Sequence, residues 1–274
     1  MTHGVRCKSL LTLTVLLLMG CNNARQGDGS GVVSLGSSYL TDTAHFSLGG
    51  QRQCQIVASA QITYPVAYGD ESTTGALRGV YLAEVLDAED NGDLDAAMGM
   101  YTRSLIDSYG EYDDELSGGG SDEDEVSVSL SSTISVVCNN GSFLSFCKEL
   151  VDTKGGDTAM VTRTYCNISL PDMAVAGLPS LFEDGSLGDI ALLLKYRLME
   201  QNGVKSEAEL IDLGYFNLDN LTVTNNFSIG DEGITWTYNA YEIACYSVGG
   251  TDITLSYDAL EPYIIEGSAV AKLM

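Results

Sequence analysis

The stretch DAEDNGDLDAAM, residues 87–98, places oxygen-bearing side chains at alternating positions, as the calcium loop of an EF-hand does. The residues at these positions are Asp87, Glu89, Asn91 and Asp93. The twelfth place, where such a loop needs a bidentate Glu, is Met98, which offers no oxygen. The pattern therefore indicates a weak calcium site at most, and it also fits an acidic Asn-Gly turn between two helices.

Few residues in the sequence could catalyse hydrolysis. Beyond residue 20 the chain has one histidine, His45, whereas zinc hydrolases usually use two or three histidine ligands. A Ser–His–Asp triad would require the fold to place His45 beside a serine. Paired carboxylates can cleave a glycan, but their presence is uninformative in a chain with 38 Asp and Glu residues. We predict no catalytic residue and no cofactor.

The N-terminus has the pattern of an export signal. A basic start precedes an apolar run over residues 10–19, which is shorter than the ~20 residues that span a bilayer. The run ends at Leu18-Met19-Gly20-Cys21, which resembles the bacterial lipobox. This resemblance implies cleavage before Cys21 and acyl chains on its thiol and new amino group, which anchor the chain in a membrane. The alternative is an ordinary secretory signal followed by an unrelated Cys.

The residues after Cys21 are small and polar, NNARQGDGSG at residues 22–31. This composition predicts a flexible tether, which we assign to residues 21–50. Asn22 stands where an Asp commonly retains lipoproteins at an inner membrane. We therefore expect a lipid-anchored protein of the cell envelope, at the outer membrane in a two-membrane cell.

The chain is strongly acidic, with 38 Asp and Glu against 13 Lys and Arg and a formal net charge of −25. Nucleic-acid binding requires cationic neutralisation of phosphates, so we predict no nucleic acid as a partner. A charge of this sign attracts cationic proteins and divalent ions by long-range steering. Simple solubility explains the same composition.

Hydrophobic periodicity separates strands from helices. Alternation over residues 54–64 predicts a strand that ends at Pro65, and helical spacing follows over residues 74–87 and 94–112. The stretch SGGGSDEDE, residues 117–125, is Gly-rich and acidic, which predicts an exposed loop between two halves of the chain.

The second half begins with alternation over residues 126–170, which predicts an antiparallel meander. Ser186 with Asp189, and Ser206 with Glu209, predict the starts of two helices as capping boxes. A hairpin over residues 220–238 and a final strand follow. Because strands and helices are grouped, we predict an α+β fold with antiparallel sheets in two small subdomains.

Five cysteines follow Cys21, and they are Cys54, Cys138, Cys147, Cys166 and Cys245. Export permits disulfides, but these spacings match neither a metal site nor a small disulfide scaffold. We predict small buried side chains and leave open a bridge between Cys147 and Cys166.

The densest aromatic stretch, WTYNAYEIACYSVGG at residues 236–250, belongs to a longer pattern. Residues 178–263 resemble the C-terminal domain of unknown function of lysozyme-sensing anti-sigma factor ectodomains. That domain also accompanies some peptidoglycan deacetylases and occurs in Bacteroides-type envelope lipoproteins. The motifs that carry the resemblance are GLPSLFEDG, LGYFNLDNLTVTNNFSI and GITWTYNAYEIACYSVGGTDITLSYDALEPYI. Residues 54–169 resemble the companion N-terminal domain. Relatives usually have Pro after Tyr-Glu-Ile-Ala, where this chain has Cys245.

The resemblance implies a module that binds or senses lysozyme or cell-wall components. Aromatic anchors and directional hydrogen bonds for a partner would come from Trp236, Tyr238, Asn239, Tyr241, Glu242 and Tyr246. The alternation of Ile234, Trp236 and Tyr238 also fits the core-facing side of a strand.

We divide the chain into a lipoprotein signal at residues 1–20, a tether at 21–50, an N-terminal α+β domain at 51–170 and a C-terminal α+β domain at 171–267. The predicted function is an envelope lipoprotein that binds lysozyme or wall components. The alternatives are a peptidoglycan hydrolase that works through carboxylates and a structural partner in an envelope complex.

Overall fold

The computed structural model describes residues 31–47, 53–88, 93–109, 125–153 and 159–274. Within them, the strands form a six-stranded sheet of order β1-β2-β3-β4-β5-β6 and a three-stranded sheet of order β7-β8-β9. The strands are β1 (Ser34–Ser47), β2 (Gln53–Ala67), β3 (Glu125–Asn139), β4 (Phe143–Asp152), β5 (Met160–Ser169), β6 (Ala174–Val175), β7 (Phe227–Ile229), β8 (Gly233–Tyr238) and β9 (Thr251–Ser256).

The helices alternate with groups of strands, and the predicted α+β class is confirmed. The α-helices are α1 (Glu71–Glu84), α2 (Leu94–Tyr109), α3 (Leu178–Leu181), α4 (Leu187–Gln201), α5 (Glu207–Asp212) and α6 (Tyr257–Leu260). Short 3-10 turns lie at Leu218–Asn220, Glu261–Tyr263 and Val270–Leu273. Among the residues with described positions, no helix has the length and apolar character needed to cross a membrane.

Helices α1 and α2 cover one face of the large sheet. Apolar residues alternate along β2, so this face is apolar and is buried by the helices. Ile56, Ala58, Ala60 and Ile62 are buried on that face, and the residues that alternate with them point to the other side. Leu77 and Tyr81 of α1 pack against it, and the Tyr81 hydroxyl donates to the Thr63 carbonyl oxygen at 2.9 Å. The N-terminal core therefore lies between these helices and the sheet.

Strand β1 corrects the tether prediction over residues 34–47. This segment pairs antiparallel with β2, from Ser34 opposite Ala67 to Ser47 opposite Gln53. Its sequence is rich in Ser and Thr and presents few apolar side chains to the core. The alternation is therefore too weak to recognise, and pairing with β2 determines the strand.

The connection from β2 to β3 corrects a second expectation. These strands pair in parallel, because the chain between them crosses over through α1 and α2. Strand β2 also continues past Pro65 to Ala67. Pro65 lies beyond Ile62, the last residue paired with β3, and beside a register irregularity in the pairing with β1. Proline is tolerated at such a position.

The antiparallel meander of β3, β4 and β5 is confirmed, but the bridge considered within it is wrong. Cys147 lies opposite Tyr165 and Cys166 lies opposite Phe146. The two thiols therefore point to opposite faces of the sheet, where no disulfide can form. The five cysteines that the structure describes form no disulfide with one another.

The C-terminal core lies between the small sheet and α4. Trp236 is fully buried at its centre, with ring centroids 6.1 Å from Phe182 and 6.2 Å from Phe227. Gly233 permits a close approach of β8 to β9, since a Cβ there would lie 2.2 Å from the Leu255 carbonyl oxygen.

The two predicted capping boxes behave differently. The Ser206 hydroxyl accepts the Glu209 N–H at 3.3 Å, so this helix start is confirmed. Ser186 makes no side-chain cap, and that prediction is wrong. Its backbone is already helical, with φ −74° and ψ −19°. The side chain is consequently buried, and the Ser186 carbonyl oxygen accepts the first N–H groups instead.

Asparagine side chains join the small sheet to β5. Buried Asn167 donates to a β7 carbonyl at 2.7 Å and accepts a β7 N–H at 3.0 Å. Asn226 accepts the Tyr165 N–H at 3.0 Å and donates to the Arg163 carbonyl oxygen at 2.9 Å. These amides take the place of a neighbouring strand, so they cover an edge that could otherwise pair with another chain.

Candidate functional site

The chain turns sharply through residues 239–246, where β8 ends. Tyr241 has φ +71°, a left-handed conformation that is costly for a residue with a Cβ. Its N–H donates to the Ala244 carbonyl oxygen at 2.9 Å. Ile243 and Ala244 are buried in the C-terminal core. Core packing therefore holds this loop in a conformation that local preference does not favour, and directs Tyr241 outward.

Tyr241 and Tyr246 form an exposed aromatic pair on this loop, which we call the tyrosine pair. Their side chains are 58% and 39% exposed. The ring centroids lie 6.0 Å apart with an interplanar angle of 28°. The Tyr246 hydroxyl donates to the Ala159 carbonyl oxygen at 2.8 Å, which fixes its orientation. The pair offers preordered aromatic surface of the kind that dominates protein interfaces.

Asn239 attaches the loop to the large sheet. Its Oδ1 accepts the Arg163 N–H at 2.8 Å, and its Nδ2 donates to the Arg163 carbonyl oxygen at 3.0 Å. The Asn239 amide is thus occupied by β5 and is not directed at a partner. Glu242, by contrast, is exposed beside the tyrosine pair.

The cation nearest this attachment is already neutralised. Arg163 donates from Nε to Glu149 at 2.8 Å and lies 3.8 Å from Asp252 through Nη1. The hydrogen bond to Glu149 raises the pKa of Arg163. Because two carboxylates surround this guanidinium, the surface around the loop keeps the negative character of the whole chain.

Trp236 and Tyr238 lie in the core beneath the loop. Trp236 is 0% exposed and Tyr238 is 4% exposed. The Tyr238 hydroxyl donates to the Thr222 carbonyl oxygen at 2.8 Å, and burial raises its pKa. The six residues predicted to bind a partner therefore fall into two groups. Tyr241, Glu242 and Tyr246 are presented to solvent, whereas Trp236, Tyr238 and Asn239 position the loop.

The backbone of Cys245 fixes the loop to the turn at Gly214. Its N–H donates to the Gly214 carbonyl oxygen at 2.9 Å, a bond that proline could not make. Gly214 has φ +103°, and a Cβ there would lie 2.7 Å from the Cys245 sulfur. The Ser247 hydroxyl, 3.1 Å from that sulfur, lowers the pKa of the thiol.

Several other predicted residues lie elsewhere. Cys21, Glu89 and Asn91 are outside the described residues, so neither the lipid site nor the calcium loop is tested. Asp93 accepts the Ala96 N–H at 3.0 Å at the start of α2. Within the described ranges no group of three or more His, Cys, Asp or Glu side chains is arranged to hold a metal ion. His45 is exposed on β1, opposite Gln55.

The residues of the large sheet that fix the loop could not be predicted from the sequence. Arg163 is 76 residues from Asn239, and Ala159 is 87 residues from Tyr246. The contacts on this side use backbone atoms, which carry no signal in the side-chain pattern. Only the aromatic and polar residues of the loop itself could be identified from the sequence.

The described chain is thus an α+β protein in which a small C-terminal sheet displays an aromatic loop. Residues 179–258 match the family described as "Protein of unknown function (DUF3298)". This range falls within residues 178–263, so the predicted domain of unknown function is confirmed at that level. A search of the curated proteins found no match to the chain.

Two solved structures are similar to this chain. One is a member of the DUF3298 family from Bacteroides fragilis NCTC 9343, 21% identical with a TM-score of 0.71, and the alignment covers 90% of this chain and 99% of that one. The other is a DUF3298 family protein from Pseudomonas aeruginosa PAO1, 17% identical with a TM-score of 0.51, covering 85% of this chain and 95% of that one. At these identities the likeness shows the fold alone.

Proposed function

We propose that this chain is a lipid-anchored envelope protein that captures a cationic protein of the lysozyme type on the tyrosine pair. The observation that carries the proposal is the exposure of Tyr241 and Tyr246 as stacked rings on a strained, core-supported loop. A strained conformation maintained by packing is common where a surface has a binding role. The resemblance of residues 178–263 to lysozyme-sensing ectodomains supports the choice of partner.

Charge complementarity supports the same partner. The net charge of −25 accelerates the encounter with a basic protein. At close range the tyrosine faces attract Arg or Lys side chains, each contact contributing about 0.5–1 kcal/mol at an exposed site. Glu242 lies beside the pair and can accept a hydrogen bond from the same cation. Specificity then arises from the aromatic pair, while the overall charge determines the association rate.

The direct test is a calorimetric titration of the purified protein with lysozyme at about 0.05 M and about 0.3 M salt. We expect saturable binding that weakens as salt rises. Tyr241→Ala should weaken binding at least about tenfold, because it removes one face of the central aromatic pair.

Tyr196→Ala is the matched control, since Tyr196 is 64% exposed on α4 and is outside the tyrosine pair. It should bind lysozyme like the unmodified protein. Absence of salt-dependent binding, or an equal loss in both variants, would contradict the proposed partner surface.

The membrane anchor is tested separately at Cys21. Mass spectrometry of protein from its native cell should find residues 1–20 removed and acyl chains on Cys21. Cys21→Ser should release the protein from the membrane fraction into the soluble fraction. An intact leader, or an unmodified thiol at residue 21, would contradict the anchor and leave the partner surface to be judged by the titration alone.

A further inference from the structure

A cleft of about 480 Å³ lies on the helical face of the large sheet, between α2 and strands β4 and β5. Its size falls in the range of small-molecule sites, which are mostly apolar with a few placed polar groups. Leu86, Leu105 and Leu150 provide apolar wall, and Lys148 is the cation that lines it. This cleft is remote in sequence from the tyrosine pair.

Lys148 differs from the other partly buried cations of the described residues. Arg103, Arg163, Lys195 and Arg197 each pair with a carboxylate, and Arg78 donates to backbone carbonyls. Lys148 is half-buried, and no carboxylate of the described residues forms an ion pair with it. The ammonium group of Lys148 is therefore available to pair with an anion from outside the chain.

The position of Lys148 is fixed by the fold. Register places it opposite Ile134 and Thr164, on the same face as buried Phe146. Its Nζ lies 5.6 Å from the centroid of the Tyr101 ring. The Tyr101 and Ser132 hydroxyls are 2.6 Å apart, which holds the ring in place. The cation–π contact is worth about 0.5–2 kcal/mol, and it leaves the ammonium N–H groups able to donate to a ligand.

We propose that this cleft binds an aliphatic monocarboxylic acid, with its carboxylate on Lys148 and its hydrocarbon chain against the leucines. The net charge of −25 repels small anions. A ligand must therefore add the burial of apolar surface to the ion pair, which an amphipathic acid does. Asp87 also lines the cleft, and its carboxylate disfavours a second negative charge on the ligand.

Calorimetric titration of the full chain with dodecanoate and with dodecanol at neutral pH tests this site. We expect saturable binding of dodecanoate and at least about tenfold weaker binding of dodecanol, which cannot form the charged hydrogen bond. Lys148→Met keeps an apolar side chain of similar length and should weaken dodecanoate binding by a similar factor. Thr164→Glu should do the same, because it places a competing carboxylate opposite Lys148.

Lys205→Met is the matched control, since Lys205 is an exposed lysine that does not line the cleft, and this variant should bind dodecanoate unchanged. Absence of saturable dodecanoate binding, or unchanged binding in Lys148→Met and Thr164→Glu, would overturn the proposal. Lysozyme binding should be unaffected by Lys148→Met, so this proposal and the proposed function can fail independently.

Discussion

Individual side chains in this protein differ most in their access to water. Burial raises the pKa of Cys138 to about 11 and of Cys166 to about 12. At Cys245 the Ser247 hydroxyl and nearby backbone N–H groups lower the thiol pKa. The thiolate is the nucleophile in alkylation, so these environments predict a large difference in reactivity.

Iodoacetamide at pH 8 should therefore modify Cys245 first, at least about tenfold faster than the other described cysteines. Mass-spectrometric peptide mapping of samples quenched over time measures each rate. Cys245→Ser should abolish the fast phase and leave the slow phases unchanged. Persistence of the fast phase in that variant would contradict the assignment.

At the scale of elements, the junction between β5 and the small sheet depends on amides. Asn167→Ala removes two hydrogen bonds to β7 and leaves a buried N–H and a buried carbonyl without partners. Each of the two unsatisfied groups costs about 1–3 kcal/mol, so the free energy of unfolding should fall by about 2–6 kcal/mol. Urea unfolding followed by Trp236 fluorescence measures it.

Asn225→Ala is the control for this experiment, because Asn225 is exposed close to the same junction. Its effect should stay within about 0.5 kcal/mol. A loss below about 1 kcal/mol in Asn167→Ala would show that water replaces the amide and that the junction does not depend on it.

Other elements show how far local pattern predicts structure. The antiparallel meander and the start of α5 at Ser206 follow from alternation and capping, which act between near neighbours. Strand β1 could not be predicted, because a Ser- and Thr-rich segment becomes a strand only when β2 pairs with it. The parallel pairing of β2 with β3 likewise depends on where two helices return the chain.

At the scale of the whole molecule, buried or half-buried cysteine thiols and a half-buried tyrosine hydroxyl predict a loss of stability at alkaline pH. The pKa is raised by burial to about 11 for Cys138, to about 12 for Cys166 and to about 12 for Tyr165. The ordinary values are 9.0 for Cys and 10.0 for Tyr. The unfolded chain therefore releases these protons first as pH rises. The contribution of these groups to the free energy of unfolding is fully present below about pH 9 and is lost as the pH rises towards about 12.

Thermal unfolding at pH 8, 10 and 11 measures this dependence, and Tm should fall progressively over the series. The double variant Cys138→Ala, Cys166→Ala removes two of the groups and should show a smaller fall. An unchanged fall would instead assign the alkaline sensitivity to general repulsion in a chain of net charge −25.

The sequence by itself determined the α+β class, the acidic character, the meander and the match of the C-terminal residues to a domain of unknown function. These properties depend on composition and on patterns within a few residues, and both are present in the sequence before any tertiary contact forms. Tertiary structure decided that Trp236 lies in the core while Tyr241 and Tyr246 face solvent, because burial depends on packing against distant elements. It also brought Arg163 to Asn239 and enclosed Lys148 in a cleft, contacts between segments that no local pattern connects.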